Sequence, residues 1–477
     1  MSVLNTAQRN AVAELLRVSP VADELGRRFG AAGHELYLVG GSVRDALLGR
    51  LGDDLDFCTD AHPEQTLAIV QGWADAIWET GREFGTIGLQ KNGLRLEITT
   101  FRAEAYDGVT RNPVVEYGTS LLDDLQRRDF TINAMAVSLP GHDFTDPYGG
   151  LEDLAAQLIR TPAAPSQSFG DDPLRMLRAA RFASKLRFTV DQKVITAMRD
   201  MAGDLQRITA ERIRDEFTKL ICGADPIAGL RLLVDTGLAD YFIPEISGLK
   251  LEIDEHAQHK DVYEHTLIVV QNAMRLEGDE GPDFVLRMAA LMHDIGKPAT
   301  KAVGRDGRVS FHHHEVVGAR LTKQRMKAMK YPKDVISDVV ELVGLHLRFY
   351  GYGRGEWTDS AVRRYVTDAG PLLARLHKLT RSDVTTRNKR KAANLAADYD
   401  ALEERITRLG AEEDLARVRP DLDGNAIMEL LGVPPGPVVG QAWRFLKELR
   451  LDRGPLDRDE AEAELFKWAR DNGHISC

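Results

Sequence analysis

The sequence predicts an α/β head built on a small mixed sheet, followed by an all-α body, a second all-α domain and a helical tail. Three observations carry this reading. The chain has 477 residues, too many for one core and enough for about three domains at roughly 150 residues each. Strand signals come early, as a short apolar run at Leu36–Val39 and as alternation at Asp54–Phe57 and Leu94–Thr99, whereas the later segments read with helical period. A turn-rich run, Asp146-Pro147-Tyr148-Gly149-Gly150, separates the two regimes.

Composition narrows the class. With 43% apolar and 28% charged residues, the chain reads as an ordinary soluble globular protein. It has no stretch of ~18 apolar residues that would span a membrane, and Met1–Pro20 lacks the basic-then-apolar pattern of a leader. Cys58, Cys222 and Cys477 show neither zinc spacing nor a disulfide framework. A cytoplasmic protein without membrane contact is expected. The net charge of -11 argues against a broad nucleic-acid binder. Residues 156–220, however, carry 12 Lys/Arg against 8 Asp/Glu, so RNA contact should concentrate there.

In chain order, Leu4–Gly30 predicts a packing helix, with Val12, Leu15, Leu16, Val21 and Leu25 as its apolar positions. Leu36–Val39 is a short strand ending in Gly40-Gly41, and Ser42–Leu48 a short helix closed by Gly49. Asp54-Leu55-Asp56-Phe57 alternates, so both aspartates point to one face. Paired carboxylates repel unless a cation lies between them. Mg²⁺ prefers one or two carboxylates plus substrate phosphates, and a glycine pair lets backbone approach a phosphate. The stretch therefore reads as a device that holds a nucleoside triphosphate on metal.

GGSVRD followed by DLD resembles the nucleotidyltransferase signature of the DNA polymerase β superfamily. More narrowly it resembles the class II branch, which holds bacterial CCA-adding tRNA nucleotidyltransferases and poly(A) polymerases. The resemblance implies a polymerase β-like nucleotidyltransferase head, Gly41 and Arg44 at the phosphates, and Asp54 and Asp56 as catalytic Mg²⁺ ligands.

Pro63–Ala76 reads as a helix with proline in its first turn, and Thr80–Leu89 as a glycine-punctuated loop entering a strand. In Leu94–Thr99, Arg95, Glu97 and Thr99 share the polar face. Glu97 is a candidate third catalytic carboxylate, since metal-assisted phosphoryl transfer draws carboxylates from more than one strand. Arg102 could meet a phosphate. Leu121–Val137 opens with Arg127-Arg128-Asp129 and continues with Ile132, Ala134, Met135 and Ala136, which suits a buried helix. DLQRRDFTINAMA is similar to the family's second motif. That implies Arg128 on the triphosphate and Asp129 and Asn133 on the ribose side. Asp146–Gly150 and Ile159-Arg160-Thr161-Pro162 resemble the family's hinge connector.

Asp171–Phe182 opens with acids and proline at a helix start. Asp172 and Arg175 are i and i+3 neighbours, and a carboxylate beside a guanidinium can read the Watson–Crick edge of a base. The segment resembles the family's E/D-D-x-x-R motif, which selects C and A; Asp171 stands where Glu is common. Arg178 and Arg181 would contact phosphate or RNA. Ile208–Phe217 resembles the next family segment, with Thr209 as N-cap and Glu211 and Arg212 bracing the body.

A second constellation begins near residue 256: His265, His293-Asp294, His314, His346 and Asp383. Imidazole and carboxylate together suit a divalent transition metal. The order resembles the HD phosphohydrolases, which implies one such metal of unidentified type, with Lys297 near a phosphate. In the run His312-His313-His314, the histidine before Glu315 is the expected ligand. The tail from Lys389 is helical, and its PDLDGNAIMELLGVPPGPVVG stretch is also similar to such nucleotidyltransferases.

The expected layout is a nucleotidyltransferase head (1–155), a helical nucleotide-selecting and RNA-binding neck (156–250), an HD domain (251–388) and a helical tail (389–477). The resemblance implies template-independent addition of C, C and A to tRNA 3′ ends from CTP and ATP, with release of pyrophosphate and a further phosphohydrolase activity at the HD site. A poly(A) polymerase is the alternative, although Glu83 interrupts the basic run that group carries after the D-x-D strand. A metal phosphohydrolase whose head only binds nucleotide is a second alternative, against which Asp54 and Asp56 argue. A noncatalytic RNA-binding or scaffold protein would need neither carboxylate set. Monomer and homodimer both stay open.

Overall fold

The computed structural model describes residues 20–50, 52–105, 114–118, 120–250, 261–279, 281–305, 309–349, 352, 357–386, 388–412 and 419–475. The expected helix before residue 20, with Val12, Leu15 and Leu16, lies outside them, as does Cys477. The chain forms two compact units, Met1–Phe242 and Ile243–Cys477.

In the first unit α1 (Pro20–Ala31) buries Val21, Leu25 and Phe29 and leads into β1 (Leu36–Val39). Then follow α2 (Gly41–Leu47), β2 (Asp54–Thr59), α3 (Pro63–Val70), β3 (Ala76–Trp78), β4 (Thr86–Lys91) and β5 (Leu94–Thr100). A hairpin of β6 (Arg102–Ala105) and β7 (Val114–Tyr117) precedes α4 (Leu121–Gln126), β8 (Ala136–Leu139) and β9 (Phe144–Thr145). The main sheet has the order β3-β4-β5-β2-β1-β8-β9. β2 and β5 run parallel in its middle and the other neighbours are antiparallel. Leu55, Phe57, Leu96 and Ile98 are buried behind this pair, each stabilising by about 1.5–3 kcal/mol. β4 needs glycine at 88, because a Cβ there would lie 1.9 Å from Nε1 of Trp78.

Two expected helices are shorter. The Pro63 helix ends at Val70 and the chain turns at Gly72 with φ 76°, so Ala76 opens a strand. The 121–137 run is not one helix. It is α4, a 3-10 turn at Thr131–Asn133 and strand β8 paired with β1. Its apolar residues are buried because the sheet covers them, and a short apolar run has no period that separates the two outcomes.

The rest of the first unit is mainly helical: α5 (Gly150–Ala155), α6 (Pro165–Asp171), α7 (Leu174–Leu186), α8 (Gln192–Asp200), α9 (Ala210–Ile221) and α10 (Pro226–Asp235). α9 and α10 both pack on α7. Thr209 caps α9 by accepting from the backbone N–H of Arg212 at 3.5 Å.

The second unit holds α11 (Val262–Arg275), α12 (Phe284–Met292), α13 (His314–Ala328), α14 (Lys333–Leu345), α15 (Asp359–Ala369), α16 (Leu373–Ser382) and α17 (Lys389–Glu412). α18 (Gly424–Leu431), α19 (Pro437–Arg453) and α20 (Arg458–Asp471) share a core of Ile427, Leu446 and Leu465. Arg364 on α15 binds Glu448 and Asp452 of α19 at 2.7 and 2.8 Å. Among the described residues no helix is long and apolar enough to cross a membrane.

Candidate functional site

The first-unit site starts at the end of β1. Gly40 has φ 68°, and a Cβ there would sit 2.9 Å from Nη1 of Arg128 and 3.8 Å from Asp56, so only glycine closes this turn. Ser42 then ties the turn to β2: its Oγ accepts from the Asp56 N–H at 2.9 Å. Asp54 and Asp56 project from one face of β2, and the parallel register places Glu97 of β5 opposite Asp56. Burial, then Glu97 and Asp54, push the Asp56 carboxyl up, while Arg128 and Arg44 pull it down. Crowded carboxylates of this kind fit a divalent cation.

The carboxylates open into a cavity of about 800 Å³. All twelve residues expected in the head site line it: Gly41, Arg44, Asp54, Asp56, Glu97, Arg128, Asp129, Asn133, Asp172, Arg175, Arg178 and Arg181. Nine basic side chains face seven acidic ones there, so a polyanion would meet a positive wall opposite the carboxylates.

The wall is held by a chain of ion pairs. Arg44 is buried, grips Asp45 with two bonds at 2.8 Å and donates to Asn133 Oδ1 at 2.5 Å. Asn133 donates to Asp129 at 2.9 Å, and Asp129 takes Arg178 at 2.8 and 2.5 Å. Burial alone would raise the Asp129 carboxyl, but Arg178 and Asn133 hold it down to about 2. Glu216 of α9, itself buried, lies 3.6 Å from Arg178 and 2.8 Å from Nε of Arg181. The latter is a charge contact without hydrogen-bond alignment. Arg181 also stacks over Phe182 at 4.2 Å. Arg128 donates to Asp124 at 3.0 and 3.2 Å.

One expected pairing does not form. Asp172 closes α6 in extended conformation, φ -142° and ψ 102°, and Arg175 belongs to the next helix. Arg175 donates to Arg127 O at 2.6 Å and to Ser168, whereas Asp172 accepts from Arg212 at 2.8 Å. Arg212 was expected to brace the body; it instead lines the cavity. The signal was present in the sequence: a cation in the first turn of α9, where the helix dipole disfavours it. Ser42 was missed as well, and only its place between the glycine pair and the aspartates hinted at it.

In the second unit, His265 of α11, His293 and Asp294 at the end of α12, His314 opening α13, His346 at the end of α14 and Asp383 at the end of α16 converge. His314 is buried and His313 exposed, so the former belongs to the cluster. Nδ1 of His293, His314 and His346 lies 2.8, 2.8 and 2.7 Å from the carbonyls of Ala290, Phe311 and Val343. Donation there fixes the tautomer and leaves Nε2 as a lone-pair donor toward the centre. His346 Nε2 is buried without a hydrogen-bond partner among the described residues. That orphaned lone pair fits a metal ion. Lys297 reaches Asp294 at 2.9 Å.

A D-x-D strand and neighbouring glutamate before an arginine-lined cavity fit nucleotidyl transfer, and the histidine–aspartate cluster of the second unit fits a metal ion. Residues 36–160 match the poly A polymerase head domain, 187–249 the probable RNA and SrmB-binding site of polymerase A, and 262–388 the HD domain. An A-adding tRNA nucleotidyltransferase of Deinococcus radiodurans is 33% identical over 91% of this chain and 95% of its own length. A CCA-adding enzyme of Limosilactobacillus reuteri is 44% identical, and this match spans 44% of the chain and 51% of that relative. The solved CCA-adding enzyme of Bacillus stearothermophilus in complex with CTP superposes with TM-score 0.68 at 25% identity, covering 95% of this chain and 98% of that one. The chain belongs to the tRNA nucleotidyltransferase and poly(A) polymerase family.

Proposed function

We propose that the chain completes tRNA 3′ ends with C, C and A, taking CTP and ATP and releasing pyrophosphate in the cytoplasm. The observation that supports this best is the meeting of the Asp54, Asp56 and Glu97 carboxylates with Asp172, Arg175 and Arg212 in one cavity. In this reading Asp54 and Asp56, with Glu97, hold Mg²⁺. The bound ion would supply charge neutralisation at the α-phosphate as pyrophosphate departs. Residues 1–155 form the catalytic head and 156–250 the neck, with 251–388 and 389–477 as HD domain and tail.

The side chains then divide the work. Gly40 and Gly41 let the triphosphate approach the backbone. Arg44, Arg128, Arg178 and Arg181 supply fixed positive charge, which costs no reorganisation as negative charge moves onto the leaving group. Asn133 orients Arg44 and Asp129 orients Arg178, and both would order the ribose side of the site. Asp172 offers an acceptor and Arg212 a donor fork, with the Arg175 donors not taken up by Arg127 O and Ser168 beside them, to match the edge of cytosine or adenine. The 3′-hydroxyl of the RNA attacks the α-phosphorus in line and the bond to the β-phosphate oxygen breaks. The HD cluster holds a separate divalent transition metal.

Incubation of purified protein with tRNA lacking its terminal CCA and single labelled nucleotides tests this. C-C-A addition upholds it and a long A tail makes the chain a poly(A) polymerase. No incorporation leaves the head a nucleotide binder. The near full-length A-adding relative favours one second reading. In that case only tRNA already ending in C-C would be extended.

A further inference from the structure

We infer that the solvent face of α13 is an RNA-docking surface that holds the phosphate backbone of tRNA. The inference rests on reading tRNA as the substrate. Residues 316–333 contain six Lys/Arg and no Asp/Glu, inside a chain of net charge -11. That is a stronger bias than in residues 156–220, where 12 basic side chains stand beside 8 acidic ones.

The helix sorts these charges by face. His314, Gly318, Thr322 and Met326 are buried, and α13 packs against α14. Arg325 is turned inward and binds Glu245 at 2.8 Å. At about 100° per residue, Arg320, Lys323 and Lys327 fall opposite the buried face, and all three are exposed. Lys330 and Lys333 continue the exposed row past the helix end. Lys330 has φ 61°, a left-handed position where glycine is the default, so a cation is kept there against backbone preference.

Elsewhere in the second unit exposed arginines meet acids: Arg364 binds Glu448 and Asp452, Arg453 binds Glu464, and Arg458 binds Glu462. Among the described residues Arg320, Lys323 and Lys327 form no ion pair. A row of exposed cations without counter-charges favours a polyanion. A membrane surface would need large apolar side chains beside them, and on this face only Val316 accompanies them. Contacts to phosphate carry no sequence information, which suits substrates that share a shape and differ in sequence.

The test is filter binding of the full chain to tRNA lacking its terminal CCA over a range of salt, beside steady-state incorporation. In the triple variant Arg320→Gln, Lys323→Gln, Lys327→Gln the slope of log Kd against log salt should fall by about 2–3, at about 0.7–0.9 per lost phosphate contact, and KM for tRNA should rise at least about tenfold. The kcat at saturating tRNA and the KM for CTP should stay at the parent's values. The charge-keeping variant Lys323→Arg, Lys327→Arg should bind like the parent, which separates lost charge from lost folding. An unchanged slope in the triple variant overturns the docking surface, and so does equal loss in the charge-keeping one. Loss of binding to phosphatidylglycerol vesicles but not to tRNA overturns it in favour of a membrane surface. A parent that incorporates nothing, yet binds tRNA with a slope that falls in the triple variant, upholds the docking surface and overturns the catalytic reading alone.

Discussion

Asp56 and Glu97 are direct register partners across the parallel β2–β5 pair, so two acidic side chains from different strands face one cavity. Burial first, and then this adjacency, raise the proton affinity of Asp56. Ionised Asp56 therefore opposes folding above its raised pKa and the opposition disappears below its ordinary value, because the folded state then holds the proton more readily. Asp56→Asn is expected to raise the Mg²⁺-free melting temperature at neutral pH while reducing nucleotide incorporation by more than about 10²-fold. Calorimetry with a parallel labelled-nucleotide assay checks both halves. A lower melting temperature, or retained incorporation, contradicts the assignment.

Glu97→Gln removes one repulsive charge from Asp56. The acid limb of the pH–activity curve should move to lower pH in this variant, since Asp56 ionises more easily. An unmoved limb would mean that the two carboxylates do not share the reacting centre.

Arg175 reaches Arg127 O, Ser168 O and Ser168 Oγ at once, through two nitrogens of one planar fork. Lysine cannot reproduce that geometry. Arg175→Lys and Arg212→Ala should both blur the choice between CTP and ATP, seen as incorrect nucleotides in single-turnover incorporation. Selectivity equal to the parent's in both variants removes the base-reading role.

Asp129 is buried against Arg178 and its carboxyl is held down to about 2 against an ordinary 3.8. A depressed acid contributes stability that is complete above pH ~4 and is lost as pH falls toward ~2. Asp129→Asn should cost toward the lower end of the about 3–5 kcal/mol typical of broken buried pairs, because Glu216 still faces Arg178. Its stability should also fall less steeply between pH ~4 and ~2. Denaturant melts across that window measure both effects.

Asp383→Asn is expected to weaken metal binding in the second unit without changing nucleotide incorporation by the head. Metal content of the dialysed protein and the incorporation assay together report this. A parallel loss of incorporation would show that the two sites are coupled.

The features most legible in the sequence were those with a local period. The Asp54–Phe57 alternation prescribes a strand with both aspartates on one face, and the structure has that strand at Asp54–Thr59. Leu94–Thr99 is similar, and its polar face carries Glu97. Legibility failed where tertiary contacts decide. Ala136 and Val137 could be helix or strand until β1 was available to pair with β8. Asp172 and Arg175 looked like neighbours on one helix, but Pro173 starts a new helix and leaves Asp172 extended before it. The partner Asp172 finds is Arg212, 40 residues away in sequence and reachable only once α9 packs on α7.

The parallel β2–β5 pair has a kinetic consequence. A parallel connection cannot close through a tight hairpin, and here the chain passes through α3, β3 and β4 before β5 returns beside β2. Asp56 and Glu97 meet only after that non-local step, the kind that slows folding most. A nascent chain still short of Glu97 holds the D-x-D strand but not its acidic partner. Chemical competence of the head is thus a late event, and recovery of incorporation during refolding should lag behind recovery of helical signal.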